Sequence, residues 1–259
     1  MKALHPVLLL ALATPAAALT PSEIGRVGAV PPADARAPLD LPFRDDADQL
    51  TTLRAAFAGK PGLLVFADYT CTSLCGPALV LTKVGLEQSG LRPGADYHLA
   101  VVGLNPKDGP TAARAMRRRS LSDDRALDSD ARFLIGDAET IRQATRALGY
   151  RYVYDAAHDQ YAHPAVAFVL APDGRLARVV SEIGLTGPPL RQALLDAGGA
   201  GTPNVIIRGL HILCYGFDPE AGIYNGPVMT AMRWSAGGAL ALGLLALLML
   251  HRRRRTTAS

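Results

Sequence analysis

The chain has 259 residues, 27 of them Lys or Arg and 23 Asp or Glu, for a formal charge of +4. Six of the basic residues (Lys2, Arg233 and Arg252 to Arg255) lie near the two ends, whereas every acidic residue lies between Leu19 and Thr230. That middle stretch carries 21 basic and 23 acidic residues, a net −2, which excludes a nucleic-acid-binding surface as its organising feature.

Residues 1–18 read as a secretory signal peptide: Lys2, an apolar run through Leu12, and Ala16, Ala17 and Ala18 in a small-residue cleavage pattern. Residues 19–42 hold five prolines (Pro21, Pro31, Pro32, Pro38, Pro42) and form an extended lead-in. The main domain spans 43–200. Leu63 to Ala67 reads as a short buried strand ending just before the cysteine segment, and Pro77 marks the first turn of the helix that follows. Tyr97 to Leu104 is a second apolar strand, and Asn105 to Pro110 is a turn. A helix over 111–119 has the run Arg117, Arg118, Arg119 as a solvated face. A further helix over 139–148 leads to a strand at 150–153. Strands at 165–170 and 175–180 flank the turn Pro172, Asp173, Gly174 as a hairpin, and 188–197 closes with a helix.

Residues 201–230 form a membrane-proximal segment. A transmembrane helix is expected over 231–251, because Trp234 to Leu250 runs 17 residues without a charge. The arginines of the tail, 252–259, place that tail in the cytoplasm and the domain outside it, in the periplasm of a bacterial inner-membrane protein.

The order βαβ, helices, β-hairpin, helix is that of an α/β thioredoxin-like domain, here with a C-terminal transmembrane helix. Such sheets place reactive groups beyond the carboxyl end of a central strand, where Cys71 and Cys75 fall. A helix N-terminus there favours thiolate over thiol. Three residues separate the cysteines. Four positions apart on a regular helix, Cβ atoms lie about 5–6 Å from each other, too far for a relaxed disulfide. Sulfurs sharing one metal sit roughly 4 Å apart. The spacing suits reversible oxidation and shared metal ligation alike. Two sulfurs are too few for structural zinc but fit a soft ion such as Cu(I) once a third ligand is found, and His163, just before the hairpin, is the candidate.

These residues also carry a family resemblance. "LPFRDDADQLTTL", "GKPGLLVFADYTCTSLCG", "LNPKDGP", "ALGYRYVYDAAHDQYAHPAVAFVLAPDGRL" and "LCYGFDPEAGIY" stand in the order found in bacterial Sco/SenC proteins, and the match covers about residues 38–230. The resemblance implies a thioredoxin-like fold that binds copper through Cys71, Cys75 and His163 and helps build the CuA centre of respiratory cytochrome c oxidases. The histidine maps onto His163 because it stands ten residues before Asp173 of the P-D-G turn. The implied cofactor is copper, as Cu(I) with Cu(II) left open. The implied partner is the CuA-bearing oxidase subunit, with a second periplasmic copper chaperone left open as donor. Many relatives have proline directly after each cysteine, where this chain has Thr72 and Gly76 with Pro77 next; the glycine is expected to loosen that loop. Pro164 replaces a small polar residue and is expected to stiffen the approach to the strand without touching the imidazole.

Two functions follow from the same residues. One is a metallochaperone; the alternative is a thiol–disulfide oxidoreductase in which Cys71 and Cys75 form the redox pair that reduces oxidase copper-site cysteines. A peroxidase fits less well, since it needs one cysteine and no distant histidine. Among other candidates, His158 reads as a solvated loop residue and His98 as structural. Asp68 and Tyr69 read as loop packing or as groups tuning the thiols, and Cys214 as a buried or membrane-proximal thiol.

Overall fold

The computed structural model describes residues 25–71, 75–183, 185–199, 217–218, 223–224 and 234. In chain order the elements are β1 (Gly28–Ala29), β2 (Phe43–Asp45), β3 (Leu50–Thr51), α1 (Leu53–Phe57), β4 (Gly62–Ala67), α2 (Cys75–Ser89), β5 (His98–Gly103), α3 (Pro110–Leu121) and α4 (Arg125–Asp130). They continue as β6 (Arg132–Ile135), α5 (Ala138–Ala147), β7 (Tyr150–Arg151), β8 (Val153–Asp155), β9 (Gln160–Ala162), β10 (Val166–Leu170), β11 (Leu176–Ser181) and α6 (Gly187–Ala197). Two short strands, β12 (Phe217–Asp218) and β13 (Ile223–Tyr224), pair with each other. The signal peptide, the transmembrane helix, the basic tail and Cys214 all lie outside the described residues. Among the described residues no helix is long and apolar enough to cross a membrane.

Seven strands make one sheet in the order β11-β10-β4-β5-β6-β2-β3. The central strands β4, β5 and β6 run parallel, and the rest are antiparallel to their neighbours. Parallel strands covered on both faces read as unbroken apolar runs, and β4 is buried at every position. Leu63, Val65 and Ala67 face a core shared with α2, α3 and α6. Leu64 and Phe66 face the opposite core with α1, α5 and the lead-in. This is the mixed α/β thioredoxin-like core expected from the sequence.

Several elements depart from the sequence reading. The lead-in is extended but firmly packed: Ala35, Ala37 and Leu39 are buried in the second core, and β1 pairs with β7. Gly149 makes that pairing possible. Its φ is +62°, and a Cβ there would stand 2.0 Å from the Val30 carbonyl oxygen, so only glycine lets the chain turn inward at Tyr150. The arginine run is not a solvated face. Arg117 lies over the Phe133 ring, pairs with Asp46 at 2.5 Å and with Asp128 at 3.1 Å, and donates to the carbonyls of Asp128 and Ala131. Arg119 donates to the Tyr69 carbonyl at 3.1 Å. Of the three consecutive arginines in α3, Arg117 and Arg119 therefore clamp loops.

Glu182, at the end of β11, is buried with Thr82 as its side-chain partner, and burial pushes its carboxyl up to about 7. A folded-state pKa above the unfolded value contributes stability that is present at low pH and lost as pH rises towards and through 7. From the shift, this group alone is expected to cost about 2 kcal/mol of stability between pH 5 and pH 8.5. Denaturant midpoints across that range, compared with Glu182→Gln, check it: the substitution should flatten the decline.

Candidate metal and thiol site

The cysteine segment begins where β4 ends. Asp68 is fully buried and fastens it: Oδ1 accepts from the Thr70 amide at 3.0 Å and the Thr70 hydroxyl at 2.9 Å, and Oδ2 accepts from the Tyr161 amide on β9 at 2.9 Å. The Cys71 amide donates to the Asp68 carbonyl at 3.2 Å. Tyr69 points into the core, its hydroxyl 2.8 and 2.9 Å from the carbonyls of Val101 and Leu134. Gly103 accommodates that ring, since a Cβ there would meet it at 2.8 Å. Asp68 and Tyr69 are thus anchors of the loop. Asp68 also acts at a distance, its charge contributing to the upward shift of Cys75 and opposing the downward shift of His163.

Cys75 is the first residue of α2, so the helix starts two residues before Pro77 and Gly76 is helical rather than part of a loosened loop. Cys75 is 7 % exposed and Cys71 half-buried, and no disulfide joins them. A hydrogen bond to Cys71, then burial, pushes the Cys75 thiol far up, so it holds its proton until something displaces it. Across 88 residues of chain, the His163 Nε2 stands 3.1 Å from the Cys75 Sγ.

The other face of the imidazole settles which nitrogen is free. His163 Nδ1 lies 2.9 Å from the Tyr150 hydroxyl oxygen and 3.2 Å from the Pro164 carbonyl, and the Tyr150 hydroxyl lies 3.0 Å from that same carbonyl. A carbonyl only accepts, so the consistent assignment has the hydroxyl donating to Pro164 and Nδ1–H donating towards both oxygens. The Nε2 lone pair is then left facing the Cys75 thiol. Burial lowers the His163 pKa, keeping the ring neutral, as a metal ligand must be. Pro164 therefore does touch the imidazole, through its carbonyl, contrary to the sequence expectation. The sequence reading passed over Tyr150, which contacts the imidazole directly.

Two sulfurs and a neutral imidazole form a soft donor set of the kind that suits Cu(I). Zinc-like bond lengths of about 2.3 Å to sulfur and 2.0 Å to nitrogen put trigonal ligands roughly 3.7 Å apart. The observed 3.1 Å is a thiol–imidazole hydrogen bond, so the pair must part by about 0.6 Å to admit an ion. Among the described residues no three His, Cys, Asp or Glu side chains already converge at metal-binding spacing. The preformed unit is the Cys75–His163 pair, with Cys71 beside it.

The remaining candidates lie elsewhere. His158 is exposed at the tip of the β8–β9 hairpin and pairs with Asp155 at 2.8 Å. His98 begins β5, with Nδ1 2.6 Å from Asp130. Because β4 and β5 are parallel, with Gly62 opposite His98 and Ala67 opposite Gly103, His98 stands at the far end of the sheet from the cysteines.

No family model and no curated protein matches the chain. Solved structures do. A candidate electron-transfer protein from Aquifex aeolicus VF5 superposes with a TM-score of 0.57 at 20% identity, over 66% of this chain and 96% of that one. A SCO1/SenC family lipoprotein from Bacillus anthracis str. Ames gives 0.52 at 16% identity, over 66% and 99%. The copper-bound ScoI of Arabidopsis thaliana gives 0.51 at 15% identity, over 63% and 98%. The chain shares the thioredoxin-like fold of these structures. Within that fold, β4, α2 and the β9–β10 connection carry Cys71, Cys75 and His163 to one end of the sheet.

Proposed function

We propose that this chain is a copper-binding assembly protein of the Sco/SenC kind, holding Cu(I) with Cys71, Cys75 and His163 and delivering it to, or preparing, the CuA site of a respiratory cytochrome c oxidase. The observation that carries the reading is the 3.1 Å approach of the His163 Nε2 to the Cys75 Sγ. The copper-bound Arabidopsis structure of the same fold supports it. Binding replaces the shared thiol proton with the cation, and the protons of Cys71 and Cys75 leave to solvent. Tyr150 and Pro164 hold the ring still while this happens. Cys71, the more open sulfur, is where an acceptor's ligand enters for exchange. The sequence-based signal peptide and C-terminal span put the domain on the outer surface of an inner membrane. Such a tether raises the effective concentration of donor and acceptor.

The asymmetry of the two thiols also favours the oxidoreductase reading, with Cys71 as the attacking and Cys75 as the resolving sulfur. A titration of the reduced full-length protein in detergent with Cu(I), against a chromophoric chelator, tests the first reading. It should bind one equivalent per chain, and the Cys71–Cys75 disulfide form none. Equal, weak binding by both forms removes the copper reading and leaves the thiol exchange.

A further inference from the structure

An open groove of about 840 Å³ lies beside Cys71, lined among others by Gly76, Pro77, Val80, Leu81 and Arg119. Its floor is apolar and comes from one stripe of α2, because positions 77, 80 and 81 share a helix face. That face points away from the core, and Leu81 is 42 % exposed. Gly76 borders open space: a Cβ there would meet nothing within 4 Å. At the rim, Arg119 is held by the Tyr69 carbonyl at 3.1 Å and touches the Met116 sulfur, and among the described residues no carboxylate pairs with it. The groove therefore joins an accessible sulfur, a greasy floor and a fixed, uncompensated positive charge.

We propose that this groove is the docking surface for an extended segment of the acceptor protein that presents an apolar side chain beside a carboxylate. The proposal rests on the reading of Cys71 as the sulfur that meets the acceptor. An apolar side chain gains by covering Val80 and Leu81, and a carboxylate gains by meeting the Arg119 guanidinium. A symmetric contact with a second copy is disfavoured, since it would bring the same cation to both sides of one interface.

Two cysteine peptides, each activated as a mixed disulfide with thionitrobenzoate, test the proposal on the reduced full-length protein in detergent. In one the cysteine is followed by glycine, leucine and glutamate; in the other by glycine, serine and lysine. The Cys71 thiolate attacks the peptide sulfur, the peptide–thionitrobenzoate bond breaks, and the coloured thiolate leaves with the electron pair. Cys75 then displaces the peptide thiol and closes the Cys71–Cys75 disulfide. The leucine–glutamate peptide is expected to react about tenfold faster than the serine–lysine one. Leu81→Asp and Arg119→Glu should each bring the ratio to about one, and Gly76→Leu, which fills the groove from a position with free space, should slow the leucine peptide. Equal rates for both peptides on the unaltered protein, or a preference that survives Leu81→Asp and Arg119→Glu, would overturn the docking surface. Cu(I) stoichiometry measured on reduced portions of the same preparations, kept from the peptides, judges the copper reading separately.

Discussion

His163→Ala is expected to lower Cu(I) affinity on the order of 100- to 1,000-fold, the effect of removing a direct ligand where loss of a supporting partner costs about 10- to 100-fold. The imidazole is the nitrogen donor of the proposed set, and its Nε2 is already within 3.1 Å of the Cys75 sulfur. Competition with a chromophoric Cu(I) chelator reads the change directly. The pH dependence sharpens the test. Burial holds the His163 pKa below its ordinary value, so protonation of the ring competes with copper less than that of an ordinary histidine. The Cys75 thiol is pushed up, so copper must displace its proton, and affinity should rise by up to about tenfold per pH unit for each thiol proton released. His163→Ala should keep that slope and lose only the offset. Unchanged affinity in the variant, with the same slope, would remove His163 from the site.

Much of this arrangement is legible in the residues themselves. The unbroken run Leu63 to Ala67 announces a strand covered on both faces, and it is one. The P-D-G turn announces the hairpin, with Gly174 at φ +83° where left-handed backbone is required. Strand end and hairpin entry together put Cys75 and His163 at the same end of the sheet. Local patterns fail where long-range partners decide. β6 has only four residues after a polar stretch and becomes a strand by pairing with β5 and β2. Arg117 looks like one of three solvated cations until Asp46, 71 residues away, and Phe133 close over it. The lead-in buries Ala35, Ala37 and Leu39 at every second position, as one face of an extended chain, but two of the three are alanines set among prolines, too small to read as an apolar period.

The site itself divides the same way. Cysteine spacing and histidine position are sequence patterns, but the choice of imidazole nitrogen is made by a hydroxyl. Four tyrosines stand between Gly149 and His163, and nothing in their spacing marks out Tyr150. What selects it is Gly149: the positive-φ turn aims the next side chain inward, where it packs on Phe66 with ring centroids 4.7 Å apart and on Phe168 at 5.9 Å. The setting of the His163 imidazole thus depends on a backbone conformation 14 residues before it.

Tyr150→Phe isolates that dependence, because it removes one oxygen and leaves the packed ring in place. Three contacts change: Nδ1 loses its 2.9 Å partner, the Pro164 carbonyl loses a donor at 3.0 Å, and the imidazole keeps only the 3.2 Å contact to that carbonyl. The ring is then freer to rotate and to adopt the other tautomer, which would place a proton on Nε2 against the sulfur. Cu(I) affinity should fall about 10- to 100-fold, while stability should drop by only about 1 kcal/mol, the net worth of a hydrogen bond. Burial keeps the Tyr150 hydroxyl protonated well above the usual phenol range, so the effect should persist through every pH at which the protein is folded. A double-mutant cycle separates positioning from general damage. If Tyr150 acts through the imidazole, adding Tyr150→Phe to His163→Ala should change affinity by less than about twofold. A full further loss in the double variant would mean that the hydroxyl serves the cysteines or the fold directly, and the tautomer argument would fall.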